Sequence, residues 1–187
     1  MPVQARERLL LSAITLGRRD GWAAMSVAGV LAESGAARRS FYSHFPGGTA
    51  ELTVAAVQLS ADWITAAVVE ACDRPLPQAL TTFVDHWSRL LVESDFELGC
   101  PVAAAALSRA RHPEAAEIAV RAFGHWESVI AEALVRDGAR ADVATTLATM
   151  TVAGIEGAVV RCVADQSVAP LTAVHDHLQS MLVSTLA

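Results

Sequence analysis

Apolar positions along this chain recur every three to four residues, and long strand-like alternation is absent. The first stripe is Leu9, Leu10, Ala13, Ile14 and Leu16. It predicts a helix from about Val3 to Arg19, ended at Asp20-Gly21 because glycine suits the left-handed turn beyond a helix. Trp22 and Met25 are placed to close a small core, and Ser26 is a good N-cap for a second helix bearing Val27, Val30 and Leu31. A tight turn at Ser34-Gly35 leads to a short third helix with Phe41 and Phe45 inward. Pro46-Gly47-Gly48 breaks it, since proline cannot continue a helix and the glycines permit a reversal. Thr49 is expected to cap a long fourth helix with Leu52, Ala56, Leu59, Trp63 and Ala66 or Ala67 on its apolar side.

Five further helices follow from the same spacing. Arg74-Pro75-Leu76-Pro77 is a break, after which Leu80, Phe83, Val84, Trp87, Leu90 and Leu91 define helix five. Gly99-Cys100-Pro101 starts a short alanine-rich helix six, expected to end near Arg111. Pro113 opens helix seven, which runs to about Asp137 with Ile118, Ala122, Trp126, Val129, Ile130 and Leu134 on one face. Asp137-Gly138-Ala139 turns into helix eight, about Ala141 to Asp165. Ala169-Pro170 precedes helix nine, striped by Leu171, Val174, Leu178, Met181 and Leu182. The reading is all-α, with about nine helices and no internal repeat.

Composition sharpens the picture in three places. With 53% apolar residues in 187, rich in the strong helix formers Ala and Leu, the chain can bury a sizeable core. Its net charge of −6 is unevenly spread. Residues 1–58 hold six arginines against Glu7, Asp20, Glu33 and Glu51, whereas acids outnumber arginines two to one in the remainder. Such an asymmetry suits one end facing a polyanion and a body that phosphate repels. Three distant cysteines, Cys72, Cys100 and Cys162, fit neither a disulfide framework nor a metal site, and an apolar leader is absent from the first residues. Both features lead to the expectation of a cytoplasmic protein. Val143 to Ala164 is long and apolar enough to cross a bilayer, but Glu156, Arg161 and several threonines favour a buried protein helix.

The second and third helices carry the candidate chemistry. With Phe41 and Phe45 inward, Arg38, Arg39, Ser40, Tyr42 and His44 point outward, all donors or donor-acceptors. Two guanidinium groups at a helix start suit the DNA major groove, where arginine grips guanine O6 and N7 together. Arg38, Arg39 and Ser40 are therefore the candidate base contacts, and Ser26, Tyr42, His44 and Thr49 the candidate phosphate contacts. The competing reading of an arginine pair is a solvated surface.

The three-helix reader followed by a helical body resembles the tetracycline-repressor (TetR) family of bacterial transcription regulators. The resemblance rests on Gly21 and on residues 26–52, including Val27, Ala32, Gly35, the run Phe41-Tyr42-Ser43-His44-Phe45-Pro46, Gly47-Gly48 and Glu51-Leu52. Leu98-Gly99-Cys100-Pro101-Val102 is similar to a segment of the branch typified by the lincomycin-resistance regulator. Two positions depart from the family pattern. Thr49 stands where members usually carry a lysine near a DNA phosphate, and Ala37 where many carry Ser or Thr as cap of the reader helix.

The resemblance implies a DNA-binding domain at residues 1–48 and a ligand-binding and dimerisation domain at 49–187. It implies a homodimer on a palindromic operator, released by a small hydrophobic or aromatic ligand; the residues themselves give no expectation of a cofactor, a metal or a membrane partner. Trp63, Phe83, Trp87, Cys100, Phe123 and Trp126 are the candidate ligand contacts, the three tryptophans because each lies on an apolar helix face of the body. Helix eight is rich in small residues, and Gly154, Gly157 and Ala158 with Leu178, Met181 and Leu182 could form a two-fold, four-helix interface. Plain core packing is the competing account of both sets. Nothing around Cys100 suggests an activated thiol, and His175 and His177 at i, i+2 do not share a helix face, so an enzyme is not expected. Two alternatives stay open: a small-molecule binder with a weakened reader, and an activator in place of a repressor.

Overall fold

The computed structural model describes residues 2–186, and every regular element among them is helical. In chain order these are α1 (Pro2–Asp20), a 3₁₀ turn (Trp22–Ala24), α2 (Val27–Ser34), α3 (Arg38–His44) and α4 (Gly48–Cys72). Then come α5 (Leu76–Glu93), α6 (Pro101–Leu107), α7 (Pro113–Arg136), α8 (Ala141–Asp165) and α9 (Ala169–Leu186). The all-α expectation and the helix order hold. Packing groups the chain into two compact units, Met1–Asp62 with Cys100–Arg121, and Trp63–Gly99 with Ala122–Ala187.

The first unit is built on α1, against which α2, α3 and α6 pack. Leu9, Ala13, Trp22, Val30, Phe41 and Leu52 are wholly buried and form its core. The Ser26 hydroxyl accepts from the Gly29 N–H at 3.1 Å and so caps α2, and Gly35 ends that helix in the left-handed region at φ 64°. Trp22 fills the space beside Gly17, where any Cβ would lie 2.6 Å from the indole ring. The indole N–H donates to the Pro101 carbonyl at 2.8 Å, and His112 Nε2–H donates to the Trp22 carbonyl at 3.1 Å. The sequence places Trp22 in the core but does not reveal these partners, which come from α6 and the start of α7.

In the second unit α8, α9 and α5 pack together around Trp87, Leu91, Leu147, Ile155, Val159, Leu171 and Leu178. α8 and α9 approach closely at Gly154, where an added Cβ would meet Val174 at 3.3 Å. The last residues of α7 and its turn tie down the α4–α5 connection. Arg136 donates to the Cys72 carbonyl at 2.7 Å, satisfying the end of α4, while the Asp137 carboxylate accepts from the Leu76 N–H at 3.1 Å and caps α5.

Three local expectations are corrected. α4 starts at Gly48, whose φ is 73°, and Glu51 rather than Thr49 supplies the capping oxygen, accepting from the Gly47 N–H at 2.7 Å. α6 stops at Leu107, because the Ser108 hydroxyl donates back to the Ala105 carbonyl at 2.8 Å and the chain turns there. Trp63 is 51% exposed, because the inward stripe of α4 runs through Val57, Ala61, Val68 and Cys72 and leaves position 63 off to one side. Both α4 and α8 are long and apolar enough to cross a membrane by composition. In α8, Leu147, Ile155 and Val159 are instead spent on the protein core.

Candidate nucleic-acid interface and ligand cavity

The reader helix α3 is held by its apolar side. Phe41 is wholly buried and Phe45 almost so, with their rings 6.1 Å apart, and the Arg6 guanidinium lies 5.4 Å from the Phe45 ring. This fixes the opposite side outward. Arg38 and Arg39 are exposed in the first turn of α3, and neither forms a hydrogen bond or ion pair with a described residue. Tyr42 is 43% exposed and stands edge-on to Phe41 at 5.2 Å. Ser40, His44 and Thr49 are half-buried. Ser26 is exposed, and with its oxygen already capping α2 it keeps the hydroxyl proton to offer. The backbone before α3 is extended at Ala37, and no side chain caps the helix.

The second unit contains an apolar cavity of about 60 Å³ that opens to solvent. α4 supplies Val68, Ala71 and Cys72 to its wall, and α5 supplies Leu76, Ala79, Leu80 and Phe83. Trp126 and Ile130 come from α7, Thr151, Val152, Ile155 and Glu156 from α8, and Leu182 from α9. Trp126 is braced on two sides. Its indole N–H donates to Thr65 Oγ1 at 2.8 Å, and Phe123 stands edge-on to it at 5.3 Å. Cys72 is buried in this wall, and loss of water pushes its thiol above the ordinary range.

Of the six candidate ligand contacts read from sequence, Phe83 and Trp126 line this cavity. Trp87 is buried in the α5 packing face, Trp63 is exposed, and Phe123 backs Trp126 from behind. Cys100 sits in the other unit as the N-cap of α6, its sulfur accepting from the Ala103 N–H at 3.5 Å. Sequence reasoning sought a wall of aromatic rings and so passed over the aliphatic majority and Glu156. An acidic residue inside the apolar α8 stripe was the signal that marks the latter.

The interface candidates also divide. Ala158, Leu178 and Leu182 are buried within the protomer, and Gly154 faces its own Val174. Gly157 is exposed with open space beside it, Met181 is half-buried, and Met150, Ala153 and Val160 share the exposed face of α8 with Gly157.

Comparison with known proteins agrees with this architecture. Residues 77–177 match the family described as transcriptional regulator LmrA/YxaF-like, C-terminal domain. The HTH-type transcriptional regulator Rv0196 of Mycobacterium tuberculosis (strain ATCC 25618 / H37Rv) is 32% identical over 187 residues, covering 97% of this chain and 95% of that protein. The HTH-type transcriptional regulator LmrA of Bacillus subtilis (strain 168) is 28% identical over 183 residues, covering 95% and 96%. Among solved structures, a TetR-family transcriptional regulator from Agrobacterium tumefaciens superposes with a TM-score of 0.84 over the full length of both chains at 21% identity, a likeness of fold. The helix-turn-helix packing, the order of the nine helices and these matches across nearly the whole chain establish that it belongs to the TetR family of transcriptional regulators.

Proposed function

We propose that this regulator is a cytoplasmic homodimeric repressor that leaves a palindromic operator when a small hydrophobic ligand enters the α4–α5–α7–α8 cavity. Residues 1–48 read DNA: Arg38 and Arg39 with Ser40 contact base edges, and Ser26, Tyr42, His44 and Thr49 hold phosphates. A single reader helix supplies few contacts, so specific binding calls for two, on half-sites about 34–36 Å apart or a multiple of that. Gly157, Met181 and the exposed face of α8 are the surface offered for pairing. The observation that carries the reading is the exposed, acid-free arginine pair on a helix whose other side is locked by Phe41 and Phe45.

Release requires that the ligand prefer a body conformation unsuited to the operator. α4 contributes Leu52 to the reader's unit and Val68, Ala71 and Cys72 to the cavity wall, so it is the element through which occupancy is transmitted. A tenfold loss of operator affinity needs about 1.4 kcal/mol of coupling.

The test is an electrophoretic mobility shift on the DNA upstream of the protein's own gene at moderate salt. A sequence-specific shift by the native protein, abolished in an R38A/R39A variant that remains a folded dimer, supports the reading. Retention by that variant overturns the assignment of the two arginines. A second reading, a small-molecule binder with a weakened reader, is favoured by the uncapped α3 and by Thr49. It predicts ligand binding with no specific shift at all.

A further inference from the structure

Resting on the reading of residues 1–48 as a DNA reader, we infer that Arg6 is a further phosphate contact, posed by the Phe45 ring where the reader helix turns into α4. Arg6 precedes Leu9 and Leu10, both buried, by one helical turn, so its stem follows the side of α1 that packs on α3. Its guanidinium lies over the Phe45 ring, 5.4 Å from the centroid, and Phe45 is itself fixed in place at 1% exposure. The Phe45 carbonyl accepts from the Gly48 N–H at 3.0 Å, so this platform is joined directly to the first residue of α4, beside Thr49. Stacking uses the face of the guanidinium and leaves free the N–H groups at its edge, which are the groups that grip a phosphate. Arg6 is exposed, and among the described residues it forms no hydrogen bond or ion pair that would spend them. Glu51, the acid in the first turn of α4, turns its carboxylate on the Gly47 N–H at 2.7 Å instead. That turn otherwise offers the Thr49 hydroxyl and no cation, so a phosphate at the junction meets its positive charge in Arg6. A long side chain already held on a ring also loses less freedom on binding than one loose in water. Arg8 is equally exposed, but two positions further on it points to another side of α1, away from Phe45.

The test is fluorescence anisotropy over a salt series on the full-length protein. Its probes are a labelled duplex from the DNA upstream of the protein's own gene and a scrambled duplex of the same length. Arg6→Met keeps an unbranched apolar stem over the ring and removes the charge. In that variant the slope of log affinity on log salt should become shallower by about 0.9, the value of one phosphate contact, with both duplexes weakened by the same factor. Arg6→Lys should keep the native slope, and Arg8→Met should change it by less than about half as much. Circular dichroism and urea titration verify the fold, and Arg6→Gln covers the case in which the methionine variant does not fold. An unchanged slope in the neutral Arg6 variants, an equal loss in Arg8→Met, or a loss in Arg6→Lys overturns the inference while leaving the reader in place. If the native protein binds the two duplexes alike, the DNA-reader reading fails together with the inference.

Discussion

The Trp22 indole N–H donates to the Pro101 carbonyl at 2.8 Å, a bond between residues 79 positions apart that joins the reader's core to the start of α6. Both groups are buried, so removing the donor leaves an orphaned carbonyl rather than a hydrated one. Trp22→Phe keeps most of the ring volume and deletes the N–H. It should lower stability by about 1–3 kcal/mol, measured as a fall in the urea midpoint at constant slope.

Arg38 and Arg39 have no hydrogen-bond or ion-pair partner to lose among the described residues. Replacing both by alanine should therefore change folding stability by less than about 0.5 kcal/mol while removing specific operator binding. Parallel urea titration and mobility shift separate the two effects. A large drop in stability would mean the pair serves the fold instead.

Thr49 lies in the first turn of α4 and carries no charge for a phosphate. Thr49→Lys should steepen the dependence of log affinity on log salt by about 0.9 for one added phosphate contact, while leaving sequence preference unchanged. Fluorescence anisotropy over a salt series reads the slope.

The reader helix lacks a side-chain cap because Ala37 has no oxygen to offer, although its backbone is already extended as a cap residue requires. Ala37→Ser should accordingly stabilise α3, by about 0.5–2 kcal/mol. Hydrogen exchange of the α3 amides is the direct measurement, with slower exchange expected. Unchanged protection would show that the packing of Phe41 and Phe45 alone governs the helix.

All three cysteines are buried, and burial raises the pKa of Cys72 and Cys162. At any given pH below that range, less of each is thiolate than in a free cysteine, and the thiolate is the reactive form. Native protein should react with iodoacetamide at neutral pH far more slowly than protein in urea. Alkylation of Cys72 should slow further with a cavity ligand bound, as mass spectrometry of the labelled peptides would reveal.

The fold was legible because its elements are punctuated. Ser26, Gly35, Pro46, Pro113 and Pro170 each mark a helix end by a backbone rule that needs no tertiary partner. The outward set of α3 was equally legible, since two inward phenylalanines four apart decide the rest of a two-turn helix. What escaped depends on long-range partners. Asp137 reads as a turn residue, yet it caps α5 from 61 positions away. Glu51 displaces Thr49 as the α4 cap because a longer side chain can reach back to the Gly47 N–H. Cys100 looks like a pocket residue by its neighbours in sequence, but its sulfur is occupied at the head of α6. For the cavity, helical periodicity reveals which face is apolar and not which apolar residues touch an empty space, so Trp87 and Phe83 are indistinguishable until packing is known.

Gly17 owes its identity to Trp22, whose ring takes the volume where any larger residue at 17 would begin. The two positions must therefore change together in descent: an alanine at 17 is viable only beside a smaller side chain at 22, and the indole proton departs with the ring. Drift cannot loosen this clasp by degrees. A lineage either inherits it whole or replaces it with another way of joining the DNA reader to α6.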